Sequence, residues 1–149
     1  MIRASVFRIS AVTVIAGLAF AAGIGVGRAQ QPAIGWGPTV IHVGQMTPED
    51  FPAPAVTGAA RVKMVARNDG GAVQAQMGPT QKHYHANSNE VQYITEGSGM
   101  FWLGDKQVPV GPGDLIIIPK GTAHGMNVNY RAIAFKSPPQ APDDIHPLP

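Results

Sequence analysis

Apolar and polar positions along this chain fall into short pieces. Residues 62–66, 72–77, 91–95, 100–103, 115–118, 123–128 and 132–135 are each rich in β-branched, apolar or aromatic side chains, the composition of half-buried strands. Between them stand turn signals: 67–71, 96–99, 104–106, 111–114 and 119–121, all carrying Gly with Asn, Asp, Ser, Lys or Pro. No segment in this block sustains a helical period over ten residues. Evenly spaced short strands without helices predict an all-β sandwich, jelly roll or barrel, and 149 residues suit one domain.

The remainder divides by composition. Residues 1–29 read as a signal peptide or N-terminal anchor. Arg3 and Arg8 open the segment, the run 9–27 is uncharged and apolar, and Gly27 and Ala29 offer small residues for cleavage. The run is long enough for an uncleaved anchor, but its glycines make it weakly hydrophobic, which favours cleavage. The expected location is therefore outside the cytoplasm, periplasmic or secreted, with anchoring to the inner membrane as the alternative. Residues 30–58 form a Pro/Gly-rich arm with a possible edge strand at 39–43, residues 59–136 the barrel, and 137–149 a Pro-rich tail that wraps the barrel or hangs free.

Charge removes one class of partner. Three of the 11 basic residues lie in the N-terminal segment, leaving 8 against 9 acidic ones. Without a cluster of Lys and Arg the barrel has no footprint for nucleic acid, and a membrane is met only through the N-terminal segment. Cysteine is absent, so a metal site must use N and O donors.

Such donors are present. His83 and His85 are two apart in a segment expected to be extended, and alternation along a strand sends both imidazoles to one face. Glu90 opens the next strand, and His124 follows the turn at 119–121. Three imidazoles and a carboxylate suit one divalent transition ion, Mn, Fe, Ni, Co, Cu or Zn. Taken singly, each has a bland reading as a hydrogen-bonded core residue or a solvated acid.

The segment from Gly78 through His83, His85 and Glu90 to Gly97 resembles the first motif of the cupins, and Gly113, Pro119, Gly121 and His124 resemble the second. The likeness implies a cupin jelly-roll β-barrel, the metal ligands His83, His85, Glu90 and His124, and a homodimer. Two positions depart from the pattern: four residues rather than five separate Gly78 from His83, and Val128 stands where the second motif has Asn. Neither is a ligand position.

Strand parity predicts that Gln92 and Ile94 share the inward face of Glu90, and that Met126 and Val128 share that of His124. On 100–103 either Met100 and Trp102 or Phe101 and Leu103 face inward. The resulting wall is mostly apolar, with Gln92 as its polar handle. Tyr84, between the two histidines, is expected to face away; Lys82, Tyr93, Tyr130, Arg131, His42 and His146 carry no assigned chemistry. The leading functional reading is a metalloenzyme acting on a small organic molecule, by dioxygenation, decarboxylation, isomerisation or lyase chemistry. The alternative is a non-catalytic exported binding protein for a small carboxylate, sugar or metal ion. A cupin transcription factor is disfavoured, since no helix-turn-helix pattern or basic patch is present.

Overall fold

The computed structural model describes residues 35–54 and 60–149. The leader read at 1–29 lies outside the described residues. Among the described residues ten strands follow in chain order: β1 Arg61–Arg67, β2 Ala72–Met77, β3 Thr80–Tyr84, β4 Asn89–Glu96, β5 Gly99–Leu103, β6 Lys106–Val110, β7 Leu115–Ile118, β8 His124–Met126, β9 Arg131–Ser137 and β10 His146–Pro147. They form two five-stranded sheets, ordered β1-β2-β9-β4-β7 and β10-β3-β8-β5-β6, and every pairing is antiparallel. The fold is the all-β cupin jelly roll that the sequence predicts.

Alternation places one face of each sheet in the interior. Ile94, Phe101, Ile116, Ile118, Met126, Tyr130 and Ala132 are buried together there, with Leu103, Val108 and Val110 packed against them. Phe101 is fully buried and Met100 is exposed, so 101 and 103 are the inward pair on β5. Turns between strands use glycine where the backbone demands it. Gly97 has φ +84°, and a Cβ there would stand 2.6 Å from the Asn129 carbonyl oxygen.

Three strands escape the sequence reading. β3 was expected only as extended chain, and β6 and β10 contain Pro109 and Pro147. Both prolines lie on the outermost strands of the second sheet, the place where a missing N–H costs no ladder bond.

Residues 39–43 are not a strand. The arm turns instead through short 3-10 segments at Val43–Gln45 and Pro48–Asp50. Its apolar residues Ile41, Met46 and Phe51 pack on Val65, Ala75 and Ile133, on the outer face of the first sheet. Burying those side chains takes the place of pairing with an edge. Backbone carbonyls of Met46 and Pro48 accept bonds from Arg131 and Arg61, at 2.8 and 3.2 Å. Among the described residues no helix is long and apolar enough to cross a membrane.

Candidate metal centre

The second sheet delivers the histidines. His83 on β3 is the register partner of His124 on β8, and His85 follows on the same side of the chain. Glu90 comes from the facing sheet, at the start of β4. The ligand nitrogens of His83, His85 and His124 all lie within 4.8 Å of one another, and all three residues are buried.

Each imidazole is fixed through its other nitrogen. Nδ1 of His83 lies 2.8 Å from the Gln81 carbonyl, Nδ1 of His124 2.9 Å from the Thr122 carbonyl, and Nδ1 of His85 2.5 Å from the Asp144 carbonyl. A carbonyl only accepts, so each Nδ1 carries a hydrogen, and the neutral form of such a ring turns the bare lone pair of Nε2 inward. Burial first, then the neighbouring His124, pushes His83 down to about 3, which keeps that ring neutral. Nε2 of His124 is buried without a hydrogen-bond partner.

Glu90 completes the arrangement. Its Oε2 is 3.0 Å from Nε2 of His85 and 3.3 Å from Nε2 of His124. With the hydrogens on Nδ1, these are lone pairs facing lone pairs, and a cation among them is what relieves the contact. Nε2 of His85 also lies 2.9 Å from Nζ of Lys136, a group with donors only, so that nitrogen is the acceptor there. The donor set thus fits a divalent ion, with three imidazole nitrogens and one carboxylate oxygen.

Lys136 was not singled out in the sequence. It is the register partner of Glu90, its side chain is almost entirely buried, and Nζ lies 3.3 Å from Oε2 of Glu90. Burial would raise the Glu90 carboxyl, but the positive charge of Lys136 opposes it, and the carboxyl is held well below its ordinary range. Burial also lowers Lys136, with Glu90 opposing. The available signal was parity: on β9, Ala132 and Ala134 point inward, and Lys136 falls on the same face.

The tail is a structural part of this centre. Gln140 Oε1 accepts from Lys136 Nζ, and β10 pairs with β3 at Tyr84 and His83. Asp144 turns its carboxylate onto the loop between His85 and Glu90, accepting from the backbone N–H groups of Ala86, Asn87 and Ser88 at 2.7 to 3.2 Å and from the Ser88 hydroxyl at 3.1 Å. Burial alone would raise its pKa; the bonds from Ala86, Asn87 and Ser88 outweigh that and lower it.

The wall beside the centre is more polar than expected. Across the first sheet, Ala72, Lys136, Glu90 and Ile118 stand in one row, and Gln74, Ala134, Gln92 and Ile116 in the next. Gln74, Gln76 and Gln92 are all buried, because polar side chains at alternate positions of β2 and β4 point inward beside the ion site. Val128 does not join this wall. β8 ends at Met126, the Asn127–Asn129 turn follows, and Val128 is exposed.

The remaining titratable and aromatic candidates lie apart from the ligand nitrogens. Tyr84 faces away and stacks on His146, centroid to centroid 4.7 Å. Lys82 sits over Trp102, Arg131 pairs with Glu96, and Tyr93 and His42 are exposed. Tyr130 is buried, with its hydroxyl 2.8 Å from Thr80 Oγ1 and 3.0 Å from Gln76 Nε2.

Similarity to known proteins agrees with this architecture. Residues 72–133 match the cupin domain family. An uncharacterised protein of Methanocaldococcus jannaschii is 35% identical over 73 residues, covering 46% of this chain and 58% of that protein. The acireductone dioxygenase of Candida albicans is 37% identical over 75 residues, covering 47% of this chain and 42% of the enzyme. The chain thus spans about half the length of the curated relatives it matches. Among solved structures, a Streptomyces Pac13 variant with uridine superposes with TM-score 0.59 at 20% identity, covering 69% of this chain and 88% of that one. The polyketide cyclase RemF of Streptomyces resistomycificus superposes with TM-score 0.56 at 21% identity, covering 74% and 85%. Fold, histidine cluster and family match agree: residues 72–133 are similar to the cupin domain family, on a barrel of the cupin type.

Proposed function

We propose that the protein is a metal-dependent cupin enzyme acting on a small organic molecule, its ion held by Nε2 of His83, His85 and His124 and by the Glu90 carboxylate. The observation that carries this reading is the locked tautomer of all three rings, which aims three lone pairs at one buried point. When bound, the ion supplies Lewis-acid or redox chemistry. The chain's own groups do the rest. Backbone carbonyls orient the rings, Gln92 Nε2 donates to Glu90 Oε1 at 2.8 Å and steadies the carboxylate, and Lys136 supplies a buried cation. A dioxygenase among the sequence relatives and a nucleoside dehydratase among the structural ones support an enzyme of this kind, with the reaction type left to assay.

Burial of all four ligand residues favours a second reading, a protein that holds an ion or small ligand without turnover. Oxygen uptake and product analysis on a substrate panel separate the two. Export through residues 1–29 and self-association belong to the same proposal, read by N-terminal sequencing of the mature protein and by sedimentation.

Elemental analysis of the wild type and His124→Ala tests the centre itself. Close to one equivalent of a transition metal, lost in the variant, is the expected result. A folded wild type without any metal would overturn the proposal.

A further inference from the structure

The inner face next to the ion site presents two polar groups in complementary orientation. Gln92 Nε2 donates to Glu90 Oε1 at 2.8 Å. A carboxylate can only accept, so this bond fixes the amide orientation and leaves Gln92 Oε1 as the outer atom. That oxygen is buried and without a partner, in a residue 2% exposed. A buried acceptor left open is costly, and a ligand donor satisfies it.

Lys136 offers the reverse. Its Nζ is shared among His85 Nε2, Glu90 Oε2 and Gln140 Oε1. Once the first two turn to an ion, the ammonium keeps as partner only a neutral amide oxygen from the tail. A carboxylate oxygen is the stronger acceptor for an ammonium and displaces it. In register, Lys136 and Gln92 both flank Ala134: Lys136 two residues along β9, and Gln92 as the cross-strand partner on β4. Gln92 is thus the diagonal neighbour of Lys136 across the β4–β9 pair, with Ala134 and Glu90 at the other two corners of that face.

We propose that the site takes a small carboxylate bearing an adjacent hydroxyl, its carboxylate on the Lys136 ammonium and its hydroxyl donating to Gln92 Oε1. This rests on the metal-centre reading, because the ion is what draws His85 and Glu90 away from Lys136. The anionic oxygen supplies affinity, and Gln92 supplies preference for a hydroxy acid over the same acid without its hydroxyl.

The test uses the full chain loaded with cobalt(II), whose visible bands report the ion, titrated with glycolate and with acetate by calorimetry. Glycolate is expected to bind the wild type more tightly than acetate, by about fivefold or more, the worth of one neutral hydrogen bond. Gln92→Leu should abolish that preference. Lys136→Met should weaken both anions by about tenfold or more, the low end for a bond to a charged group, with the cobalt bands retained. Equal affinity for the two anions in the wild type, or unchanged affinity in Lys136→Met, would overturn the proposal while leaving the metal centre standing. Absence of cobalt bands before any anion is added would remove the metal centre, and this inference with it. Since the wild-type comparison needs no variant, a misfolded substitution does not shield the idea.

Discussion

The backbone carbonyl of Asp144 lies 2.5 Å from Nδ1 of His85, a residue 59 positions earlier in the chain. The same residue's carboxylate gathers the loop Ala86 to Ser88. One tail residue thus sets both the ring orientation of His85 and the path from His85 to Glu90. Partners of this kind typically shift metal affinity by about tenfold to a hundredfold. Asp144→Ala keeps that carbonyl but removes the carboxylate that holds the loop and the tail in place, and is expected to weaken zinc binding by up to about tenfold in a chelator competition, while far-ultraviolet circular dichroism of the barrel is unchanged. Equal affinity would show that the tail merely lies against the site.

Acidity should act on the metal-free protein through His83. Its folded pKa is depressed to about 3, below the value near 6.5 for the unfolded chain. Between these values the unfolded state binds more protons, so stability rises with pH across that window and falls as pH drops from about 6.5 towards 3. The slope contributed by this one group reaches about 1.4 kcal/mol per pH unit at most. Denaturant melts at pH 7 and pH 5 should separate in that direction. A bound ion, which needs the same neutral ring, should be lost over the acidic side of the same range.

Gly97→Ala should destabilise the barrel by about 2 kcal/mol or more, since it combines a left-handed backbone with a contact of 2.6 Å. Gly104 has a φ of +67° with nothing near its missing Cβ, and Gly104→Ala should carry the backbone penalty alone, about 1 to 2 kcal/mol. Urea melts of the two variants measure the difference. Equal costs would place the Gly97 penalty in the backbone and not in the crowding.

Tyr130→Phe removes the hydroxyl shared by Thr80 and Gln76. The orphaned buried groups should lower stability by about 1 to 3 kcal/mol, with metal stoichiometry unchanged. Loss of the metal in this variant would show that the polar row of β2 supports the centre directly.

Much of this molecule can be read from local pattern. The strands at 72–77 and 91–95 alternate along their length, and His83 and His85 share a face because they are two apart. What escapes is whatever depends on long-range register. Lys136 gains its meaning from standing opposite Glu90 on β4, a pairing between residues far apart in sequence. The tail's proline-rich composition predicts irregular chain and is silent on where that chain docks. At 39–43 the alternation suggests a strand, but Ile41 serves the outer face of the first sheet, a surface that only the assembled barrel presents. Val128 shows the limit of parity itself: extrapolation along β8 fails once the chain turns at Asn127.

β9 lies between β2 and β4 and pairs with both. The first sheet therefore has no continuous middle until residues 131–137 have joined it. Pairings so distant in sequence slow folding, and those residues carry Lys136 and lead into the segment that holds His85. His83 and His85 are synthesised early, but the sheet that faces them is complete only when β9 has joined it. The order of strands is thus also a clock: an ion taken by the proposed centre would be enclosed late in the life of the folding chain.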